Sequence, residues 1–280
     1  MNKIITLSAE KAERDSEAIL KKPQKAEPRK NVFKEFFITV SNFFLFTVRF
    51  FAEAFKFPIE FNELMRQSYI IGYKSFPLVG ITGFIIGLVL TIQSRPTLAD
   101  FGAESWLPAM ISVSLIREIS PVLTALICAG KIGSGIGAEL ASMKVTEQID
   151  AMEVSGINPF KYLIVTRVLS TTIMLPVLTV FSNLIAMYGS FVGVNIKGEV
   201  TYQLFMAQAL SSLQFSDLIS SILKTVFFGM AIGLIATFNG YNSNKGTEGV
   251  GAAANASVVQ ASLMVFIIDV IAVQISSLFL

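Results

Sequence analysis

Four ionisable residues stand in parts of this 280-residue chain that are otherwise apolar. Arg117 and Glu118 are adjacent within the run 106–130, Lys224 lies near the start of a later charge-free run, and Asp269 lies within the last one. A charged side chain at the centre of a bilayer costs about 3 kcal/mol on insertion scales, so such residues either pair with one another or mark a polar pathway. The two cations and two anions sum to zero. One use is interhelical ion pairing that only holds a helix bundle together. The other is a polar cavity that contacts a charged substrate or responds to conformational change. Lys224 could also extend its ammonium to the outer interface.

Other chemistry finds little support. There is no histidine, and Cys128 is the single cysteine, placed in an apolar helix where it reads as packing. Zinc sites need clusters of Cys, His or carboxylates at characteristic spacing, and no HExxH pattern is present. Neither a Walker A motif nor a GxSxG elbow occurs. Serine and cysteine have no histidine to activate them, so bond-making catalysis is not expected. The run Gly130, Lys131, Ile132, Gly133, Ser134, Gly135, Ile136, Gly137 superficially suggests a phosphate loop, but no strand pattern precedes it and no GK[ST] follows. Close helix packing and a bend at the membrane exit suit these small residues better. Nothing points to nucleic acid or a bound metal.

The elements that must position the charges follow from composition. At 53% hydrophobic and 15% charged residues, with a mean hydropathy of +0.64, the chain is too apolar for an ordinary soluble domain. Spans are expected near residues 70–93, 106–130, 166–195, 218–238 and 258–280, each long enough for the ~20 residues that cross hydrocarbon. The fold class is therefore all-α integral membrane. Eleven of 22 Lys and Arg lie before residue 60 and four more in 131–167. The positive-inside rule then puts the N-terminus in the cytoplasm and, after five crossings, the C-terminus outside.

Residues 1–30 carry eight basic and five acidic groups with few aromatics, the composition of a disordered cytoplasmic tail. From Phe33 onward, Phe pairs at 36 and 37, 43 and 44, and 50 and 51 repeat every seven residues, and Phe33, Val40, Ala54 and Phe55 join that face. Lys34, Glu35, Arg49, Glu53 and Lys56 fall opposite. The charge-free core of residues 36–48 is too short to span, so residues 31–62 are expected to form an interfacial helix with the Phe face in the acyl boundary. Gly80, Gly83 and Gly87 make a small-residue stripe in the first span that permits close helix approach. The outer loop near residues 202–215 has the pattern of a short surface helix.

Residues 138–154 form an amphipathic pattern ended by Gly156 and Pro159. Ala138, Ala141, Val145, Ile149 and Met152 share one face, while Glu139, Lys144, Glu147, Asp150 and Glu153 avoid it. Lying between two spans, this helix offers acidic groups and the adaptable side chains of Met143 and Met152, which suits docking to a cytoplasmic partner.

The stretch LIREISPVLTALICAGKIGSGIGAELASMKVTEQIDAMEVSGINPFKYL, together with FNGY at residues 238–241 and the late Asp269, resembles the MlaE/YrbE family of permeases of Mla-type lipid ABC transporters. The similarity extends over roughly residues 60–280. It implies a homodimer in a bacterial inner membrane that moves phospholipids or related lipids between envelope membranes. The implied partners are a cytoplasmic P-loop ATPase that carries the ATP and Mg2+, an MCE-domain lipid-binding protein on the outer side, and a small STAS-type regulatory subunit; this chain would hold no cofactor. Glu139, Met143, Lys144, Glu147, Asp150, Met152 and Glu153 would form the ATPase-coupling surface. Leu90, Leu98 and Phe101 would face lipid tails, with Arg117, Glu118, Lys224 and Asp269 as the polar network below. Arg95 and Pro96 depart from the apolar or aromatic residues of relatives. Two other functions fit the bare composition: a secondary carrier coupled to ions through Glu118 and Asp269, although no internal repeat is evident, and a non-transporting scaffold that recruits partners through the acidic helix.

Overall fold

The computed structural model describes residues 32–56, 60–196, 198, 200–244 and 246–279. The expected N-terminal tail, Lys197 and Lys245 lie outside these residues. Among the described residues the secondary structure is helical, with no strand. The described residues from 46 onward belong to one compact unit and residues 32–45 to another.

The helices are α1 (Val32–Ala54), α2 (Phe61–Tyr73), α3 (Phe76–Asp100), α4 (Leu107–Ser114), α5 (Ser120–Cys128), α6 (Ser134–Val145), α7 (Gln148–Val154), α8 (Thr166–Asn195), α9 (Tyr202–Ser211), α10 (Phe215–Tyr241) and α11 (Thr247–Phe279). Wider π-helical turns at Leu115–Ile119, Ala129–Gly133 and Phe160–Val165 join α4 to α5, α5 to α6, and lead into α8. Six helical runs in the described residues have the length and composition to cross a membrane, namely Phe37–Ala54, Phe61–Asp100, Glu104–Val145, Phe160–Asn195, Phe215–Tyr241 and Thr247–Ser277.

The helix that holds the first expected span runs on through Pro96 to Asp100, where Arg95 donates to the Val194 carbonyl at 3.0 Å and reaches Glu104 at 3.6 Å. The helix that holds the last expected span begins at Thr247. The segment expected as an interfacial helix also reaches the length of a span once Arg49 and Glu53 are admitted. Its Phe face is divided: Phe37, Phe44, Phe51 and Phe55 are exposed, whereas Phe50 is buried together with Phe46. Phe46 packs edge-on against Phe160 and Phe238, and Arg49 lies 4.2 Å above the Phe160 ring.

Helix α8 is central and packs against α3 and α10. The glycine stripe makes the first of these contacts possible. A Cβ on Gly87 would collide with the Ala186 backbone, and one on Gly189 would collide with Phe84. Where backbones approach this closely, Thr91 donates to Ser190 across the seam at 2.8 Å. The expected outer helix is present as α9, capped by the Thr201 hydroxyl. Its Phe205 and Ala209 are fully buried against Leu107, Ile111 and Leu115.

Candidate functional site

Arg117 and Glu118 sit on the π-helical turn Leu115–Ile119, just before Pro121. Proline has no N–H to continue the α-helical ladder, and a π-turn widens the helix locally, a distortion common at functional positions. The turn carries two adjacent charged side chains toward neighbouring helices. Glu118 Oε2 accepts from Lys224 Nζ at 2.6 Å, and Asp269 Oδ1 accepts from the same ammonium at 3.1 Å. Lys224 is 4% exposed and points inward, so it does not reach for the outer interface. Three of the four expected residues therefore form one ion triad that joins α10, α11 and the π-turn.

Arg117 leaves this triad and takes a partner the sequence did not identify. Its Nε and Nη2 both donate to Asp217 Oδ1 at 2.7 Å. Asp217 is almost completely buried in the first turn of α10. There its other oxygen accepts from the Gln214 backbone N–H, while the Gln214 side chain completes a reciprocal cap. Asp217 is not among the candidate residues named from the sequence. Two features could have identified it: the Gln214-x-x-Asp217 spacing of a capping box, and its position seven residues, two helical turns, before Lys224. With Asp217 included, the cluster of Arg117, Lys224, Glu118, Asp217 and Asp269 carries a net charge of −1 rather than zero.

A cavity of about 370 Å³ opens beside these pairs, lined by Arg117, Glu118, Asp217, Ser220, Val273, Ser276 and Ser277. Ser220 and Ser276 share a hydrogen bond of 2.8 Å. The Arg117 and Glu118 side chains remain 40% and 46% exposed. The cavity thus presents a guanidinium with donors to spare beside hydroxyls and a half-solvated carboxylate. Leu90 and Leu98 are partly buried against the cluster of Leu107, Ile111 and Leu115, whereas Phe101 is largely exposed.

At the other end, residues 138–154 do not form one helix. α6 stops at Val145, Thr146 turns its hydroxyl back to the Ser142 carbonyl, and Glu147 adopts a left-handed conformation with φ 57° before α7 begins. A non-glycine residue there costs about 1 kcal/mol or more, and Lys144 clamps the break by pairing with Asp150 at 3.2 Å. The division of faces nevertheless survives: Ala141 and Ile149 are buried, Ala138, Val145 and Met152 half-buried, and Glu147 and Glu153 exposed. Met143 is half-buried beside them. Glu139, like Asp150, is ion-paired. Its carboxylate accepts at 2.8 Å from Arg167, which is 2% exposed and also donates to the Leu163 carbonyl. Glu139 is thus tethered to α8, with its side chain still 52% exposed.

The FNGY segment packs at this same end. Phe160, Phe238 and Tyr241 gather around Phe46, and Lys144 Nζ lies 5.9 Å over the Tyr241 ring. A Cβ on Gly240 would meet the Gly137 carbonyl and Leu140 at 2.8 Å. The motif therefore joins α10 closely to α6.

Comparison with known proteins gives a consistent assignment. The family described as Permease MlaE matches residues 64–275. The intermembrane phospholipid transport system permease protein MlaE of Haemophilus influenzae is 38% identical over 213 residues, 75% of this chain and 81% of that protein. A probable ABC transporter permease protein of Rickettsia typhi is 36% identical over 229 residues, covering 82% of this chain and 88% of the other. Another, from Pyropia yezoensis, is 38% identical over 208 residues, 74% and 79% of the two chains.

Proposed function

The chain belongs to the MlaE permease family, and from that premise we propose that it is the membrane-spanning subunit of an ABC transporter that moves phospholipid between membranes of a bacterial envelope. The observation that carries this is the ion cluster and its cavity. A bundle held together by charge alone would bury its ion pairs, yet Arg117 and Glu118 are held in place while still open to a 370 Å³ space. Arg117 supplies donors for a lipid phosphate, and Asp217 fixes the orientation of its guanidinium. The Lys224 triad fixes Glu118 beside it and ties the cavity wall to α10 and α11.

ATP binding and hydrolysis belong to a separate cytoplasmic P-loop ATPase, with its Mg2+. The exposed acidic groups Glu147 and Glu153, with Met143 and Met152 beside them, are the surface it docks on. Two copies of this chain enclose the lipid path, with Leu90, Leu98 and Phe101 toward the acyl chains. An MCE-domain protein receives or delivers lipid on the outer side, and a STAS-type subunit binds the ATPase. The chain sits in the inner membrane with its N-terminus cytoplasmic and its C-terminus periplasmic.

Co-reconstitution of the chain and its co-purifying ATPase in vesicles tests this. ATP-dependent movement of fluorescent phospholipid, reduced by Arg117→Gln and insensitive to ion gradients, is the expected result. Flux that follows an ion gradient without ATP would instead establish a secondary carrier.

A further inference from the structure

A second polar recess lies far from the ion cluster. Lys131, on the π-helical turn Ala129–Gly133, follows Glu118 by 13 residues in the same helical run, about 20 Å at 1.5 Å per residue. There a pocket of about 210 Å³ is lined by Gln67, Lys74, Ser75, Lys131, Gly135 and Glu139 among others. We propose that this recess is a binding site for one phosphate group, separate from the transport cavity and independent of the function proposed above.

Three observations carry the assignment. First, Lys131 Nζ donates to the Lys74 carbonyl. The two ammonium-bearing residues are thereby tethered at the junction of α2 and α3, and neither makes an ion pair with a carboxylate among the described residues. The acidic residue in the lining, Glu139, is already engaged by Arg167 at 2.8 Å, and Gln67 donates to Glu63 at 2.7 Å. Two lysines lining one recess, neither of them in an ion pair among the described residues, favour binding of an anion there.

Second, the Ser75 side chain is 1% exposed and its hydroxyl has no hydrogen-bond partner. A buried hydroxyl left unpaired is an uncompensated cost, and a phosphate oxygen is an acceptor that would remove it. Third, Gly135 lines the same recess, and a Cβ built on it meets nothing within 4 Å. The floor is open space rather than packed helix. The volume suits a phosphate with one or two ester oxygens but not a nucleotide, which agrees with the missing P-loop signature of residues 130–137.

The position gives the site a consequence. An oxyanion held by Lys74, Ser75 and Lys131 would fasten the α2 to α3 junction to the root of α6, one turn from the Glu139 to Arg167 tether. Phosphate of this kind has two sources, the head group of an anionic lipid or free phosphate. The test separates them.

Full-length chain is placed in phosphatidylcholine nanodiscs containing a minor fraction of phosphatidylglycerol, and lipids retained after release are counted by native mass spectrometry. In parallel, chain in phosphatidylcholine alone is titrated with inorganic phosphate. We expect retained phosphatidylglycerol to fall about 30-fold in K74Q/K131Q, since each lysine near a membrane surface contributes about fivefold. Gly135→Leu removes no charge and fills the recess, so it should show a comparable loss and serves if the lysine variant does not fold. Inorganic phosphate bound by the parent and lost in both variants, without retained phosphatidylglycerol, would assign the site to free phosphate. Absence of both ligands from the parent, or equal binding by the parent and a folded variant, would overturn the proposal.

Discussion

Replacing Lys224 should damage this protein more than replacing either of its carboxylate partners, and the geometry sets the size of the effect. Lys224 is 4% exposed and meets Glu118 at 2.6 Å and Asp269 at 3.1 Å. Lys224→Ala removes the cation and leaves Glu118 and Asp269 without it, beside a cavity where Asp217 already adds negative charge. Loss of one partner from a fully buried pair costs about 3–5 kcal/mol. Glu118 is 46% exposed and Asp269 19%, so solvent screening reduces the expected loss to about 2–3 kcal/mol. For a chain of this size that corresponds to a fall in melting midpoint of about 4–12 °C. Asp269→Ala leaves Lys224 with Glu118 and should cost less, about 1–2 kcal/mol. In Lys224→Ala/Asp269→Ala the Glu118 carboxylate loses its neighbouring negative charge, so the double variant should be about 1 kcal/mol or more less impaired than the sum of the singles. Fluorescence-detected thermal unfolding in detergent and ATP-driven lipid movement measured on the same four proteins complete the cycle. Strict additivity in both readouts would refute the triad as a single unit.

Other consequences are open to the same assays. Asp217→Asn should weaken the grip on Arg117 and half of the α10 cap, lowering stability by about 1–2 kcal/mol and slowing lipid movement; unchanged transport would show that Arg117 needs no positioning. Gly87→Leu has no space to occupy beside Ala186, so it should abolish the monodisperse folded species on size exclusion. Gly135→Ala, whose added methyl meets open space, should be neutral or stabilise by up to about 1 kcal/mol. Reversal of Glu147 and Glu153 to lysine should abolish ATPase co-purification while leaving membrane insertion intact, because both are exposed at and beyond the break between α6 and α7; retained association would place the docking surface elsewhere.

The parts of the fold visible in the sequence were those set by local pattern. Apolar runs of span length, the alternation of faces over residues 138–154 and the small-residue stripe at Gly83 and Gly87 all follow from side chains a few positions apart. Interruptions of the helices were less legible. Nothing in Met143 to Glu147 announces a left-handed residue, since the break is stabilised by the Thr146 hydroxyl and by Lys144 reaching Asp150. Pairings between helices were harder still. Lys224 and Asp269 could be grouped by charge, but Arg117 pairs with Asp217, 100 positions away. Glu139 was legible as polar but not as the partner of Arg167, because a helix face does not disclose which neighbour covers it.

Helix α10 joins the two ends of this molecule. It carries Asp217 and Lys224 at one end and Phe238, Gly240 and Tyr241 at the other, a separation from Lys224 to Gly240 of 16 residues, about 24 Å along the helix. Its middle lies against α8, where a Cβ on Gly229 or Gly233 would collide with the backbone of Thr171 or Val168, so it has little freedom to bend. Gly240 meets Gly137 of α6 with the same closeness, and α6 leads directly to the exposed break at Glu147. A force on that break therefore has a route to α10 through the Gly137 to Gly240 contact, beside the direct one along the helical run Glu104–Val145 that carries Arg117 and Glu118. Gly240→Ala separates this route from local effects at the cavity: its methyl pushes α10 from α6 without touching any charge. It should uncouple ATP hydrolysis from lipid movement while leaving the stability contributed by the Lys224 triad intact. Transport and hydrolysis falling in parallel would show that the contact only holds the fold together, and that coupling runs through another helix.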